Sequence, residues 1–405
     1  MDRAQLARIA DGLLIAVAAS LPWSTSATGI LLVLWLLALI PTLDWSGVRG
    51  DLMLAAGGLP VLLVLLGVLG LAWADVSWAE RWGGLNSFLK LLAIPLLLVQ
   101  FRRSDRGLWV FAFYLAACLV LLVATTLVEY VSPFTLIPMH GDHVLVKNPA
   151  TQSGEFVACI LGLLYLAVDC AERRRWYFLA GLLIAMLGLL GNVLFVSTGR
   201  TALLVVPVLL VIFAILHLNW KGSVIVLAAT VVIAALAWMA SPYLRIRTLS
   251  IWQDLQNYEA TDVRNSSGER IQFAKKSIEF IREAPIIGHG TGSIPMLFAR
   301  AAAGKTGAAG TATTNPHNQT FAVAIQLGLV GALVLWAMWI AHLLLFRGAG
   351  LVEWIGIVVV VQNIIGSLLN SHLFDFVQGW TYVVGVGVAG GMMLKSRTAK
   401  DGAAQ

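Results

Sequence analysis

Charge is what this chain has least of: Asp, Glu, Lys and Arg together make up 12% of its 405 residues, while 59% are hydrophobic. An ordinary soluble domain carries about twice that charged share. A soluble chain this long would split into several cores rather than bury so much apolar surface in one, so an ordinary soluble protein is excluded. Cysteine is also scarce. Cys118, Cys159 and Cys170 lie within or at the end of apolar runs, which reads as small core residues rather than a disulfide framework. Several chemistries are missing too. No G-x-x-x-x-G-K-[ST] loop occurs, so nucleotide-driven work has no phosphate cradle. GHGTG at 288–292 is glycine-rich but opens no βαβ unit, so it is no dinucleotide fingerprint. No His/Cys cluster or Asp-rich stretch shows metal-ligand spacing, and no carboxylate pair of the glycosidase kind stands out. No cofactor is expected.

Long apolar runs are what the chain has instead. Reading between charges gives twelve candidate spans, at roughly 9–22, 27–43, 52–72, 85–100, 107–128, 153–169, 176–196, 200–217, 221–240, 317–346, 351–369 and 372–394, each near the length a bilayer requires. The first, preceded by Arg3 and Arg8, resembles a signal peptide, but a second run follows within a few residues and a retained hairpin explains both. The formal charge of +6 in a soluble protein would suggest nucleic acid or acidic partners; here the cations set orientation. With a cytoplasmic N-terminus, fourteen of the 27 cations fall on inside segments, among them Arg102, Arg103, Arg106, Arg173, Arg174, Arg175, Arg347 and Lys395. The short outside loops hold only Arg81, Lys147 and Arg200, and Lys90 lies inside the fourth run. Both termini are then inside, as the positive-inside rule requires. No nucleic-acid partner is expected.

Three domains follow: spans one to nine over 1–240, an outside loop over 241–316, and spans ten to twelve with a cytoplasmic tail over 317–405. The loop is too long for a connector. From Ser266 it reads as an amphipathic helix, with Ser266 and Glu269 in capping-box spacing and Pro285 beyond its end. Ile271, Ala274, Ile278 and Ile281 form its expected apolar stripe, with Phe273 and Phe280 on the flanks and Lys275, Lys276 and Arg282 facing elsewhere.

The outside face offers few reactive groups. Arg200, in VSTGRTALL, reads either as an interfacial arginine snorkelling to headgroups or as a cation aimed into a cavity. Arg270 is either solvated or poised with the free N–H groups of its helix start for a phosphate. His317, in NPHNQT, is either a capping residue or, with Pro316 starting a helix directly ahead of it, a rigidly placed general base. Such a trio suits transfer of a sugar from a lipid diphosphate. The leaving group departs as an anion and needs no acid, arginines stabilise its charge without a metal, and one histidine takes the acceptor's proton.

VSTGRTALL, then GERIQFAKKSIEFIREAPIIGHGTGS, then NPHNQTFAVAIQLGLVGALV resembles the O-antigen ligase and polymerase superfamily of polytopic glycosyltransferases, and the GHGTGS and PHNQ pair looks more like the ligase branch. The resemblance implies an all-α, polytopic, GT-C-like membrane fold of about 12 spans with a large periplasmic loop containing amphipathic helices. It implies transfer of O-antigen polysaccharide from undecaprenyl diphosphate to the lipid A-core oligosaccharide, inverting and metal-independent, on the periplasmic face of the bacterial inner membrane. It assigns His317 to acceptor activation and Arg200 and Arg270 to the diphosphate. Arg264 and His289, beside these motifs, are secondary candidates, with a solvated or structural role as the alternative. An O-antigen polymerase or a protein O-oligosaccharyltransferase shares the donor and the motifs. A transporter of a lipid-linked sugar is disfavoured, because no paired set of interrupted helices is visible and the polar residues concentrate at one face.

Overall fold

Polar caps mark where the apolar helices begin. Asp2 caps α1 (Arg3–Ser20), Ser24 caps α2 (Thr25–Leu39), Ser77 with Glu80 forms a capping box on α5 (Trp78–Leu89), Asn148 caps α8 (Pro149–Glu172) and Asn219 caps α11 (Trp220–Ala240). Each gives a side-chain acceptor to a first-turn N–H that has no partner within its helix. The other helices are α3 (Trp45–Met53), α4 (Ala55–Leu69), α6 (Ala93–Arg103), α7 (Gly107–Val131), α9 (Trp176–Phe195), α10 (Arg200–His217), α12 (Ser266–Glu283), α13 (Ile294–Ala302), α14 (Gln319–Leu345), α15 (Leu351–Leu369) and α16 (Phe376–Ala403). This computed structural model describes residues 2–131, 145–197, 199–242, 245–246, 249 and 266–403, and no strand occurs among them.

Among the described residues, nine helical stretches are long and apolar enough to cross a membrane, and a tenth is added if α3 and α4, bent by 88°, count as one span. Helices thus stand where the twelve runs are expected. α1, which carries Arg3, Arg8 and Asp11, and α10, whose apolar part Thr201–His217 is short, fall outside the nine. Ile30, Leu37, Ile184, Ile215 and Val231 are all more than half exposed, as a surface solvated by lipid requires. Trp45, Trp78, Trp109, Trp176 and Trp220 are exposed near helix starts, the positions of an interfacial aromatic belt. Within the bundle α16 presses closely on α6: a Cβ added at Gly387 would lie 2.4 Å from that of Leu97, the close approach that small residues permit between membrane helices. Cys118 and Cys159 are buried free thiols.

α14 is not continuous. At Gly328 the backbone turns to φ 64, ψ −163, a conformation almost reserved for glycine, and the main-chain groups released there are taken up by the segment 285–292. The N–H groups of Leu329 and Val330 donate to the carbonyls of Pro285 and Ile286, and those of His289 and Gly290 donate to Ile325 and Gln326. Thr291 then ties the segment to α4, its N–H on the Gly70 carbonyl at 3.0 Å and its hydroxyl on that of Gly67 at 2.6 Å. Every exchange satisfies a group that lipid could not. The break in α14 that receives this segment was not expected from the sequence.

α12 spans the expected residues but turns a different face inward. Phe273, Lys276, Ser277 and Phe280 are buried, whereas Ile278 is 41% exposed. Phe273 and Phe280 both meet the edge of Phe298 on α13, at 5.6 and 5.2 Å between centroids, and the two large rings outweigh the smaller stripe. Lys276 is tolerated inside because its Nζ donates to the Ala309 carbonyl at 2.7 Å.

A Cβ at residue 328 would sit 2.1 Å from the Ile286 carbonyl oxygen. Gly328→Ala is therefore expected to cost about 1–3 kcal/mol in backbone strain alone, with the overlap in addition, and to lower the melting temperature of the detergent-purified protein by several degrees. Gly12→Ala, which meets nothing within 4 Å, should melt like the wild type; equal melting of the two variants would contradict the helix break.

Candidate functional site

The turn ahead of α14 is built by asparagines. Asn318 caps the helix through the Phe321 N–H at 3.1 Å. Asn315 Oδ1 accepts the His317 N–H at 2.8 Å, closing an Asx-turn over Pro316. His317 lies in the left-handed region at φ 56, which histidine visits more readily than most residues. Pro316 therefore does not begin the helix, contrary to the sequence expectation; α14 starts at Gln319 because Asn318 supplies the cap.

The 370–375 segment between α15 and α16 comes to lie against this turn. Gln319 Oε1 accepts the N–H groups of Leu373 at 3.0 Å and Phe374 at 3.2 Å. From the opposite side the buried Lys90 Nζ donates to the carbonyls of Phe374 at 2.9 Å and Asp375 at 2.8 Å. So held, Asn370 reaches both Asn315 and His317. Asp375 Oδ2 accepts from Asn370 Nδ2 at 3.0 Å, and Asn315 Nδ2 donates to Asn370 Oδ1 at 2.9 Å.

These contacts decide the state of the imidazole. The Asp375 carboxylate accepts only, so it takes the amide nitrogen of Asn370 and leaves the amide oxygen toward His317. The His317 N–H fixes Asn315 in the same way, which turns the Asn315 amide nitrogen onto the same oxygen. Nδ1 of His317, 3.1 Å from Asn370 Oδ1, must then be the donor, and Nε2 keeps its lone pair. Burial, followed by the positive charge of Arg270, holds the imidazole below its ordinary value of 6.5, while the Asn370 bond and Glu269 oppose. His317 is neutral at pH 7 and its Nε2 is a base. Burial pushes the Asp375 carboxyl up to about 6 against the pull of Lys90, which leaves it largely ionised at neutral pH. One ring face of His317 is covered by Phe273, stacked at 5.9 Å and 17°.

Of the residues singled out in the sequence, Arg270 and His317 are thus brought together. Arg200 opens α10 directly after Gly199, where a Cβ would lie 2.3 Å from Ser153 Oγ of α8; its side chain lies outside the described residues, as do Arg264, His140 and His143. The next residue, Thr201, lines a small polar cavity of about 40 Å³ together with Glu155, His372 and Gln378. Tyr114 and Thr381 join that cavity to an apolar groove of about 310 Å³ running between α7, α8, α15 and α16. Lys147 pairs with Glu155 at 3.1 Å. His289 is engaged elsewhere, its Nε2 2.8 Å from the Phe280 carbonyl. No group of three metal-ligating side chains occurs among the described residues.

Asn315, Asn370, Asp375 and Lys90 escaped the sequence reading as site residues. Lys90 alone left a signal, a cation inside an apolar run; the others are polar residues of short loops, ordinary until the fold joins them.

Residues 185–336 match the sequence model of a family described as O-Antigen ligase. Over that stretch the chain is similar to this family. The stretch matched contains the start of α10, all of α12, the segment docked at Gly328 and His317. It ends before Asn370 and Asp375. No curated protein matches the chain.

The tautomer can be observed directly. In protein carrying 15N-histidine, with His317 assigned by difference from His317→Gln, the ring is expected as the neutral Nδ1–H form at about pH 7. An Nε2–H form or an imidazolium at that pH would contradict the network.

Proposed function

We propose that this chain transfers O-antigen polysaccharide from undecaprenyl diphosphate to the lipid A-core oligosaccharide, with His317 as general base and Arg200 and Arg270 on the diphosphate. The observation that carries the reading is the neutral, Asn370-oriented His317 beside Arg270. A base of this kind requires the free acid–base nitrogen to be fixed in direction and unprotonated at working pH, and Nε2 meets both conditions. The acceptor hydroxyl gives its proton to Nε2 as its oxygen attacks the anomeric carbon from the face opposite the phosphate. The bond from carbon to phosphate oxygen breaks with its electron pair going to the diphosphate, and the configuration inverts. The leaving group is an anion of low basicity, so arginines at its oxygens suffice to stabilise it. Arg270 serves twice, holding the free imidazole neutral and meeting the diphosphate when the donor binds.

We place the active site on the periplasmic side of the bacterial inner membrane, with both termini cytoplasmic and 241–316 as a periplasmic loop. Fourteen cations on the inside segments support this orientation. The groove that adjoins the cavity at Thr201 has the apolar lining that an isoprenoid tail requires. Similarity to the family alone supports polymerase or protein-glycosylating activity equally well, and the acceptor separates them.

In a strain lacking the chromosomal copy, His317→Ala, Arg200→Ala and Arg270→Ala are each expected to reach the membrane at wild-type level yet leave core lipopolysaccharide without long chains, while lipid-linked polymer accumulates. Losing one transition-state donor typically costs roughly 10²–10³ in rate, enough to remove the ladder. A normal ladder with His317→Ala would end the general-base assignment, and single repeat units on the core would point to a polymerase. Chelators should leave transfer by the purified protein unchanged.

A further inference from the structure

At the end of the bundle away from His317, α1, the turn after α2 and the last turns of α6 enclose a cavity of about 380 Å³. Arg3, Arg8 and Arg103 line it, and its walls are apolar, formed by Leu39, Leu43 and Val99. The polar groups at its floor are already engaged. Asp11, buried on α1, accepts from Gln100 Nε2 at 2.9 Å and from Ser104 Oγ at 2.7 Å, and Gln100 Oε1 accepts from the Trp35 indole at 2.9 Å. Asp11 is thus satisfied by neutral donors. Arg103 pairs with Asp44 at 2.5 Å. Arg3 donates only to a carbonyl, that of Leu43 at 2.7 Å. No ion pair among the described residues engages Arg3 or Arg8.

Two arginines with no ion-pair partner among the described residues therefore stand at the mouth of a cavity whose floor also holds the Asp11 carboxylate. Lipid-facing surface adjoins it: Ile9 is 41%, Leu37 64% and Ile40 49% exposed, and Trp45 beside them is 66% exposed. We propose that this cavity binds the phosphodiester headgroup of an anionic phospholipid, with Arg3 and Arg8 on the phosphate and the acyl chains along Ile9, Leu37 and Ile40. Charge complementarity selects the headgroup, since a zwitterionic lipid would bring its own cation into a cavity already lined by three arginines, of which only Arg103 is paired. The apolar walls select a lipid over a free phosphate, which would leave Leu39, Leu43 and Val99 uncovered. The bound lipid would bridge α1 and the turn after α2 to the end of α6. This site is independent of the transfer reaction and of the residues assigned to it.

Native mass spectrometry of the full chain in detergent tests the proposal, with dioleoylphosphatidylglycerol titrated against dioleoylphosphatidylcholine. Wild type is expected to retain the anionic lipid about tenfold or more in preference, and Arg3→Gln/Arg8→Gln to reduce that preference to within about twofold, given what each interfacial arginine contributes toward an anionic lipid. Arg174→Gln/Arg175→Gln, which removes two exposed cations from another turn at the same end, should keep the wild-type preference. Arg8→Gln alone, a single change on an exposed helix position, should fall between. An unchanged preference in the Arg3/Arg8 variants would overturn the assignment. So would equal loss in the Arg174/Arg175 pair, or displacement of the lipid by excess inorganic phosphate.

Discussion

The side-chain amide of Asn370 can point only one way. Asp375 takes its nitrogen, Asn315 and His317 share its oxygen, and Asn315 is itself held by a main-chain N–H. That single orientation determines which nitrogen of His317 carries the proton, and hence whether the residue is a base. The rest of this end of the bundle serves to hold the amide. Lys90, buried in the turn between α5 and α6, fastens the carbonyls of the 370–375 segment, and Gln319 fastens its N–H groups. A buried ammonium is costly unless fully hydrogen-bonded, and here its partners are the loop that the site needs in place.

The same economy operates deeper in the membrane. A helix interrupted at Gly328 would leave main-chain groups bare in lipid, yet the 285–292 segment supplies a partner for each group named above. The segment is anchored on α4 by Thr291 and leads back into α12, whose Phe273 covers His317. The broken helix thus sets the position of α12, and through it the ring face and charge that His317 meets. Fold and chemistry are coupled through hydrogen bonds that the low-dielectric surroundings make strong.

Legibility in the sequence tracks distance along the chain. Apolar runs and the helix from Ser266 depend on neighbours within a few turns, and they stand where the sequence pattern puts them. His317 and Arg270 were visible because polar groups are rare in such a chain and each invites a reason. The face that α12 buries was not visible, since Phe298 on another helix decides it. Nor was the role of Asn370 and Asp375: two polar residues in a six-residue connection look like any turn until residue 317 is brought beside them. Lys90 lay between these cases, conspicuous as a cation in an apolar run, while its partners near residue 375 were not.

The proposed mechanism requires a neutral, oriented His317 to accept the proton of the transfer step. The pH dependence of kcat/KM for polysaccharide transfer by the purified protein, with lipid-linked donor and lipid A-core acceptor in detergent, addresses it most directly. A base whose folded-state value is held below 6.5 loses activity only as pH falls through that value. The rate should therefore rise from the acid side with an apparent pKa under 6.5 and stay level from about pH 7 to 8. A rate that is flat through the acid range, or an acid limb centred above pH 7, would contradict the account.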